Sequence, residues 1–184
     1  MKKILIIGAG GIGSYLIPLL QRTGLYEITA YDPDKVEKKN LTYQNFKDGD
    51  ESEHKVSVMK RRFKIQTTQP FPILTASQLE GYDLVVCCAD NLDVRRLLYR
   101  DGKQWLDLRA QGRNCAYISF RSNPEMYDTL LSGPKGSFSC QGDEWDGKAE
   151  GIHFSHIIAA GMGAEWIQRF FAKDDIADFK VVNV

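Results

Sequence analysis

The chain has 184 residues, of which 43% are hydrophobic and 26% are charged, and its formal net charge is zero. A chain of this length can bury a sizeable core, and we expect residues 1–184 to form a single domain. The balanced charge argues against a broad nucleic-acid surface, because such surfaces need excess Lys and Arg to neutralise phosphates. No run of about 18 apolar residues occurs, so we expect no transmembrane helix and no membrane partner.

The N-terminus and the cysteines bear on the cellular compartment. Ile4–Ile7 after two lysines is similar to a signal peptide, but four glycines follow within ten residues and no cleavage site ends the apolar run. None of the four cysteines belongs to a C-x-x-C pair, and Cys87 and Cys88 lie in an apolar run where a free Cys packs as a small hydrophobic residue. A chain with its own core needs no disulfide framework, so we expect a cytoplasmic protein.

The first half of the chain alternates between apolar strand patterns and helical spacing. The strand predicted at 4–7 leads to a helix at 11–22, which ends at Gly24, and to a second strand at 26–31. The polar stretch 33–51 predicts an extended loop. A helix at 53–62 and a short strand at 65–68 follow.

The second half continues the alternation. Strands are predicted at 82–88, 105–108 and 116–120, and helices at 91–100 and 153–171. Residues 132–151 are glycine-rich without a period and predict a flexible loop, while 176–184 form a C-terminal tail that is an edge strand or faces a partner. The whole pattern predicts an α/β fold, with a Rossmann-like open, mostly parallel twisted sheet and helices on both faces.

A glycine-rich turn follows the first strand. Glycine lets the backbone turn tightly and approach a phosphate, and the helix after the turn offers free N–H groups. The candidate phosphate-binding residues are Gly8, Gly10, Gly11 and Gly13. Asp32 ends the second strand, where a carboxylate accepts hydrogen bonds from ribose hydroxyls. Turn, helix and acidic residue together predict a nucleotide site, and the alternative is a tight turn without a ligand.

Four further polar residues are candidates for nucleotide contacts. Amides such as Asn40 and Gln44 bond phosphate oxygens or base edges, and Lys55 is suited to neutralising phosphates. Asp34 is more ambiguous. Each residue also has an alternative role without a ligand. Asp34 suits a turn, the two amides suit a loop, and Lys55 begins a solvated basic helix face.

Polar residues also end the central strand. Asp90 lies at the edge where open α/β sheets bind ligands, and its carboxylate could hold Mg²⁺. Its alternative role is the N-cap of the following helix. Asn91 is adjacent. Arg95 lies one turn into that helix, and either serves the same site or pairs with Asp93 or Asp101.

Taken together, these segments resemble the ThiF/MoeB family, whose core also occurs in ubiquitin-activating enzymes. The segments that carry the resemblance are Gly8 to Gly13, Asp32 to Val36, Asn40-Leu41-x-x-Gln44, Lys55 and Asp90-Asn91-x-x-x-Arg95. The resemblance spans residues 3–108 and resumes weakly from His153. It implies an ATP-dependent adenylyltransferase, in which the carboxylate of a ubiquitin-like or sulfur-carrier protein attacks the α-phosphate of ATP. It also suggests a homodimer.

The resemblance assigns a role to each candidate residue. Asp32 holds the ribose, and the glycine turn lies beside the reacting phosphate. Asn40, Gln44 and Lys55 contact the phosphates. Asp90 organises Mg²⁺, so that Lys55 and Asp90 are the catalytic candidates. The remaining expected nucleotide contacts are Asp34, Asn91 and Arg95.

The chain departs from the family in its cations. Tyr43 stands where the family usually carries an arginine, and we expect no N-terminal arm to supply another, since the first strand begins at once. Two charges that stabilise the leaving pyrophosphate would then be missing. Arg109 and Arg113 are candidates to replace them, and salt bridges are the alternative role for both.

The family's paired C-x-x-C zinc site is absent, so we expect no structural zinc. Cys140 lies roughly where the first of those cysteines would fall. It could join His153 and His156 in a metal site, act as a thioester or persulfide nucleophile, or simply pack.

Two other functions remain open from the sequence. The glycine turn and Asp32 suit NAD as well as ATP, and Tyr99-x-x-x-Lys103 mimics the catalytic pair of a short-chain dehydrogenase. The chain would then be an NAD-dependent oxidoreductase. Tyr43 and the missing arm support a degenerate module that binds a nucleotide or a partner without catalysis.

Overall fold

The computed structural model describes residues 1–126, 140–141, 145–146 and 148–184. Within them, one sheet contains seven strands in the order β3-β2-β1-β4-β5-β6-β7. The strands are β1 (Lys2–Ile7), β2 (Tyr26–Tyr31), β3 (Thr67–Gln69), β4 (Leu84–Cys87), β5 (Trp105–Gln111), β6 (Asn114–Ser119) and β7 (Phe179–Asn183). The pairings from β3 across to β5 are parallel, and β6 and β7 add two antiparallel strands at one end. The predicted α/β fold with a mostly parallel sheet is confirmed.

Helices connect the strands and cover both faces of the sheet. They are α1 (Gly13–Thr23), α2 (Asn40–Tyr43), α3 (Lys55–Phe63), α4 (Leu92–Asp101) and α5 (Ser155–Ala172), with 3₁₀ turns at Ala76–Leu79 and Ala149–Gly151. Among the described helices, none is both long and apolar enough to cross a membrane.

The alternation of side chains along β1 divides the core into two layers. Ile4 and Ile6 pack on one face in a cluster with buried residues of α1, α3 and α5. Leu5 and Ile7 pack on the other face with buried residues of α4. Successive strand residues point to opposite faces, so a continuous apolar run such as β1 requires helices on both sides.

Several element boundaries differ from the predictions. The predicted loop at 33–51 contains the short helix α2, and β6 begins at Asn114. The tail strand β7 is an edge strand paired with β6. The N-cap of α4 is Asn91, whose Oδ1 accepts hydrogen bonds from the backbone N–H groups of Asp93 (2.9 Å) and Val94 (3.2 Å). The alternative of Asp90 as N-cap is therefore wrong. The predicted loop at 132–151 lies largely outside the described residues.

Candidate nucleotide site

A cleft of about 770 Å³ opens at the carboxyl ends of the strands, beside β1 and β4. These adjacent strands lead through their helices in opposite directions, to β2 and to β5, and such a switch point is where open α/β sheets bind ligands. The predicted site residues that line the cleft are Gly8, Gly10, Gly11, Asp32, Asp34, Asn40, Gln44, Lys55, Asp90, Asn91 and Cys140. Gly13 and Arg95 are predicted site residues that do not belong to this lining.

The glycines of the turn have different structural roles. Gly8 has a φ of +95°, and a Cβ there would lie 2.9 Å from the backbone nitrogen of Ala89. A Cβ at Gly13 would lie only 1.9 Å from the Gly8 carbonyl oxygen. A Cβ at Gly10, by contrast, would lie no closer than 3.8 Å to any described residue beyond its chain neighbours. Gly8 and Gly13 are therefore required for packing, whereas Gly10 borders the open cleft, where the backbone can approach a ligand.

Asp32 connects the glycine turn to the segment after β2. Its Oδ2 accepts a hydrogen bond from the Ala9 N–H (2.6 Å), and its Oδ1 accepts one from the Asp34 N–H (2.8 Å). Burial raises the pKa of Asp32, while nearby Lys55 and these two hydrogen bonds oppose the rise only in part. A carboxylate oxygen can accept more than one hydrogen bond, so both oxygens of Asp32 can still bind a ribose hydroxyl.

Lys55 is the first residue of α3, and its ammonium group lies in the cleft wall. Only 7% of the residue is exposed, and its Nζ lies 3.0 Å from Oδ2 of Asp34. Burial lowers the pKa of Lys55, but the charges of Asp32 and Asp34 raise it by more, so that the net shift is upward. Lys55 therefore remains a cation at neutral pH.

Both predicted amides line the cleft and are buried. Asn40 Oδ1 accepts a hydrogen bond from the backbone N–H of Glu37 (2.9 Å), which fixes the start of α2. Gln44 Nε2 donates to the hydroxyl oxygen of Tyr43 (2.9 Å). Gln44 Oε1 is buried and finds no hydrogen-bond partner among the described residues.

Asp90 follows β4 and lines the cleft. Among the described residues, no group of three or more His, Cys, Asp or Glu side chains could hold a metal ion by itself. The combination of Cys140, His153 and His156 therefore does not form a metal site there. Mg²⁺ needs no such cage, since it is commonly held by one or two carboxylates together with the phosphates of a substrate.

Arg95 belongs to a buried ion-pair network beside the cleft. Its Nε lies 3.2 Å from Oδ1 of Asp107, and Arg109 lies 2.9 Å from Oδ2 of the same carboxylate. The Tyr99 hydroxyl also donates to Asp107. The suggested partners Asp93 and Asp101 pair instead with neighbouring arginines. The structure thus places Arg109 in a salt bridge, one of the two roles that the sequence left open. Tyr99 is bonded to Asp107 and does not belong to the cleft lining.

Sequence reasoning did not identify Asp107 or the segment after β3. An acidic residue inside the apolar strand pattern of β5 was the available signal for Asp107. Phe71, Pro72 and Ile73 also line the cleft, and the aromatic residue between two prolines was their only signal.

Cys140 lies against the glycine turn, where a Cβ at Gly11 would come within 2.8 Å of its Sγ. Burial, followed by the charge of Asp90, raises the pKa of Cys140 to about 12. The thiolate is therefore scarce at neutral pH, and the geometry favours a packed thiol over an activated nucleophile.

The sequence matches the model of the ThiF family over residues 1–173. The adenylyltransferase and sulfurtransferase UBA4 of Yarrowia lipolytica is 35% identical over 106 residues, which are 53% of this chain and 27% of that protein. Ubiquitin-like modifier-activating enzyme 5 of Aedes aegypti is 28% identical over 115 residues, which are 51% of this chain and 29% of that protein. The matched regions thus span less than a third of the length of these relatives.

Solved structures of similar fold cover nearly the whole chain. The crystal structure of E. coli MccB with ATP has a TM-score of 0.67 and 21% identity, and the match covers 99% of this chain and 63% of MccB. The structure of PaaA has a TM-score of 0.68 and 15% identity, and the match covers 100% of this chain and 61% of PaaA. At these identities the similarity concerns the fold.

Proposed function

The chain belongs to the ThiF family, and we propose that it is an ATP-dependent adenylyltransferase that activates a carboxylate as an acyl-adenylate. The observation that carries this proposal is the meeting of three features in one cleft: an open glycine turn, the buried acceptor Asp32 and the cation of Lys55. They supply phosphate contact, ribose recognition and positive charge, respectively. The relative UBA4 is named an adenylyltransferase, and this name supports the proposed activity.

The proposed reaction needs positioning and charge neutralisation. An oxygen of the substrate carboxylate attacks the α-phosphorus of ATP, and the bond from that phosphorus to the β-phosphate's bridging oxygen breaks. The electron pair leaves with pyrophosphate, and the acyl-adenylate remains. No general base is needed, because the carboxylate is already ionised at neutral pH. Groups that are fixed beforehand around the phosphates lower the barrier of such an in-line displacement.

We include Mg²⁺ in the proposal because the cleft is acidic. Among the described lining residues, four are acidic, namely Asp32, Asp34, Glu37 and Asp90, and two are basic, namely Lys39 and Lys55. An ATP anion would enter this cleft more favourably with a divalent cation, which neutralises phosphate charge. Asp90 is the carboxylate we assign to it, with phosphate oxygens as further ligands.

As the substrate we propose the C-terminal carboxylate of a ubiquitin-like or sulfur-carrier protein. The names of the relatives support this class, since one is an adenylyltransferase and sulfurtransferase and another is a ubiquitin-like modifier-activating enzyme. MccB was also crystallised together with MccA.

The decisive experiment compares nucleotides and then tests turnover. The purified protein is titrated calorimetrically with Mg-ATP and separately with NAD. Pyrophosphate exchange into ATP is then measured with a small ubiquitin-like protein ending in Gly-Gly. We expect binding of Mg-ATP without binding of NAD, and exchange that requires the acceptor. Tight NAD binding without ATP binding would favour the oxidoreductase, and binding of ATP without exchange for any acceptor would favour the degenerate module.

A further inference from the structure

Among the described residues that line the cleft, Gln44 has the one buried side-chain polar atom without a hydrogen-bond partner. The residue is 7% exposed, its Nε2 donates to Tyr43, and its Oε1 has no partner there. An unpaired buried polar atom costs free energy unless a ligand or water completes it. The nitrogen end of the amide is thus bonded to Tyr43, while the buried oxygen at its other end has no partner among the described residues.

Both ends of the amide lie beside the glycine turn. A Cβ built on Gly10 would lie 3.8 Å from Nε2 and 3.9 Å from Oε1 of Gln44. The amide and the Gly10 backbone therefore border the same space. Under the proposed function, that space receives phosphate groups of ATP.

Tyr43 is fixed at several points. Its ring lies edge-on to Trp145, with centroids 5.1 Å apart, and edge-on to His156, with centroids 5.8 Å apart. Its backbone carbonyl accepts a hydrogen bond from Nε2 of His156 (2.9 Å). The hydroxyl that meets Gln44 therefore has little freedom to move.

A phenol has a property here that an arginine lacks. The Tyr43 hydroxyl both donates and accepts, so it can bond either end of the Gln44 amide. When Nε2 is needed by a phosphate oxygen, the amide can reverse and the hydroxyl can donate to Oε1. An arginine only donates.

We propose that Tyr43 is a positioning residue, which holds the Gln44 carboxamide beside the glycine turn so that Nε2 donates to the triphosphate of ATP while the Tyr43 hydroxyl donates to Oε1. This proposal rests on the nucleotide site of the proposed function and not on the identity of the acceptor. Tyr43 acts through Gln44, so removal of its hydroxyl matters only while Gln44 is present.

A double-mutant cycle on Mg-ATP affinity tests this dependence. Tyr43→Phe removes only the hydroxyl, Gln44→Met removes the amide at similar volume, and the third variant combines both. We expect each single substitution to weaken the Kd for Mg-ATP about tenfold. The double variant should also be weakened about tenfold, whereas independent effects would multiply to about a hundredfold.

The matched control is Tyr26→Phe. The Tyr26 hydroxyl also bonds a glutamine, Oε1 of Gln168 at 2.8 Å, but Tyr26 begins β2 at the opposite edge of the sheet. This variant should keep its Kd within about twofold, while melting temperatures show that all four variants fold.

Each outcome decides the proposal. An unchanged Kd for Tyr43→Phe, or effects of the two substitutions that multiply, would overturn it. If the wild-type protein binds Mg-ATP but never exchanges pyrophosphate, adenylation fails and the cycle still decides the role of Tyr43. If the wild-type protein binds no Mg-ATP, both proposals fall.

Discussion

Lys55 and Asp32 are opposite charges that are both almost excluded from water, at 7% and 5% exposure. Burial alone would favour the neutral form of each. The charges of Asp32 and Asp34 outweigh burial and raise the pKa of Lys55, whereas Lys55 offsets only part of the burial that raises the pKa of Asp32. Asp34, whose side chain is 64% exposed, also holds the ammonium group from the solvent side. Lys55 is thus held as a cation in the cleft before any ligand arrives, a form of preorganisation that lowers the cost of binding phosphates.

At this scale we predict that Lys55→Met weakens Mg-ATP binding by about tenfold or more, because a buried cation beside the phosphates would be lost. Calorimetric titration measures the change. Lys60→Met is the control, since Lys60 is an exposed lysine of the same helix and lies outside the cleft lining. Equal affinity of both variants would exclude the phosphate role of Lys55.

At the scale of elements, the turn between β1 and α1 combines two different requirements. Gly13 is needed because any side chain would collide with the Gly8 carbonyl, whereas a Cβ at Gly10 would lie 3.8 Å from the Gln44 side chain. The same glycine motif therefore contains a packing position and a ligand-facing position.

The two glycines should respond differently to alanine. Gly10→Ala should fold with a melting temperature near that of the wild type, yet bind Mg-ATP about tenfold more weakly because its methyl group occupies ligand space. Gly13→Ala should lose about 1–3 kcal/mol of stability or more, since the backbone must move. Thermal melts and titrations of both variants separate these effects, and a Gly10→Ala protein with undiminished affinity would place the phosphates elsewhere.

His156 links α5 to α2 across 113 residues of sequence. Its Nε2 bonds the Tyr43 carbonyl, which only accepts, so this nitrogen carries the hydrogen. Its Nδ1 lies 3.3 Å from Nε2 of Gln141 and accepts from it. Burial lowers the pKa of His156 from its ordinary value of 6.5, although its hydrogen bond to the Tyr43 carbonyl opposes this.

This linkage predicts a pH dependence of stability. Below about pH 6.5 the unfolded chain binds a proton at His156 that the native state does not, so acidification lowers the free energy of unfolding. Between roughly pH 7.5 and pH 5.5, the free energy of unfolding of His156→Gln should therefore fall by about 1 kcal/mol less than that of the wild type. Urea unfolding at both pH values measures this difference, and parallel losses would contradict the assigned cause.

At the scale of the whole molecule, one sheet separates two apolar layers. Trp166 lies in the layer with α1 and α5, and Trp105 lies in the layer with α4. Both are buried, with exposures of 0% and 2%. The strands β1, β4, β5 and β6 contribute buried side chains to both layers, so neither layer can loosen without disturbing the shared sheet.

We therefore predict one cooperative unfolding transition. Trp145, the third tryptophan, is first replaced by Phe. In that background Trp105→Phe leaves Trp166 as the reporter of one layer, and Trp166→Phe leaves Trp105 as the reporter of the other. Within each variant, the fluorescence midpoint in urea should coincide with the midpoint from circular dichroism. Separate midpoints for the two signals would show that the layers unfold independently, and would contradict a single domain over 1–184.

The amino-acid sequence by itself determined the alternation of strands and helices and the position of the glycine turn. It also placed Asp32 and Asp90 just past the ends of strands. These features depend on local periodicity, on backbone freedom at glycine and on the rule that parallel strands end at a common edge. The confirmed α/β fold therefore followed from short-range patterns.

Only the tertiary structure decided which partner each polar side chain has. The pairing of Arg95 with Asp107 joins a helix to a strand, and the contact of His156 with Tyr43 joins the last helix to a short helix near the start. The antiparallel pairing of β6 with β7 depends likewise on distant segments. Such contacts result from packing around a shared core, and a polar residue in a sequence has several possible partners until that packing selects one.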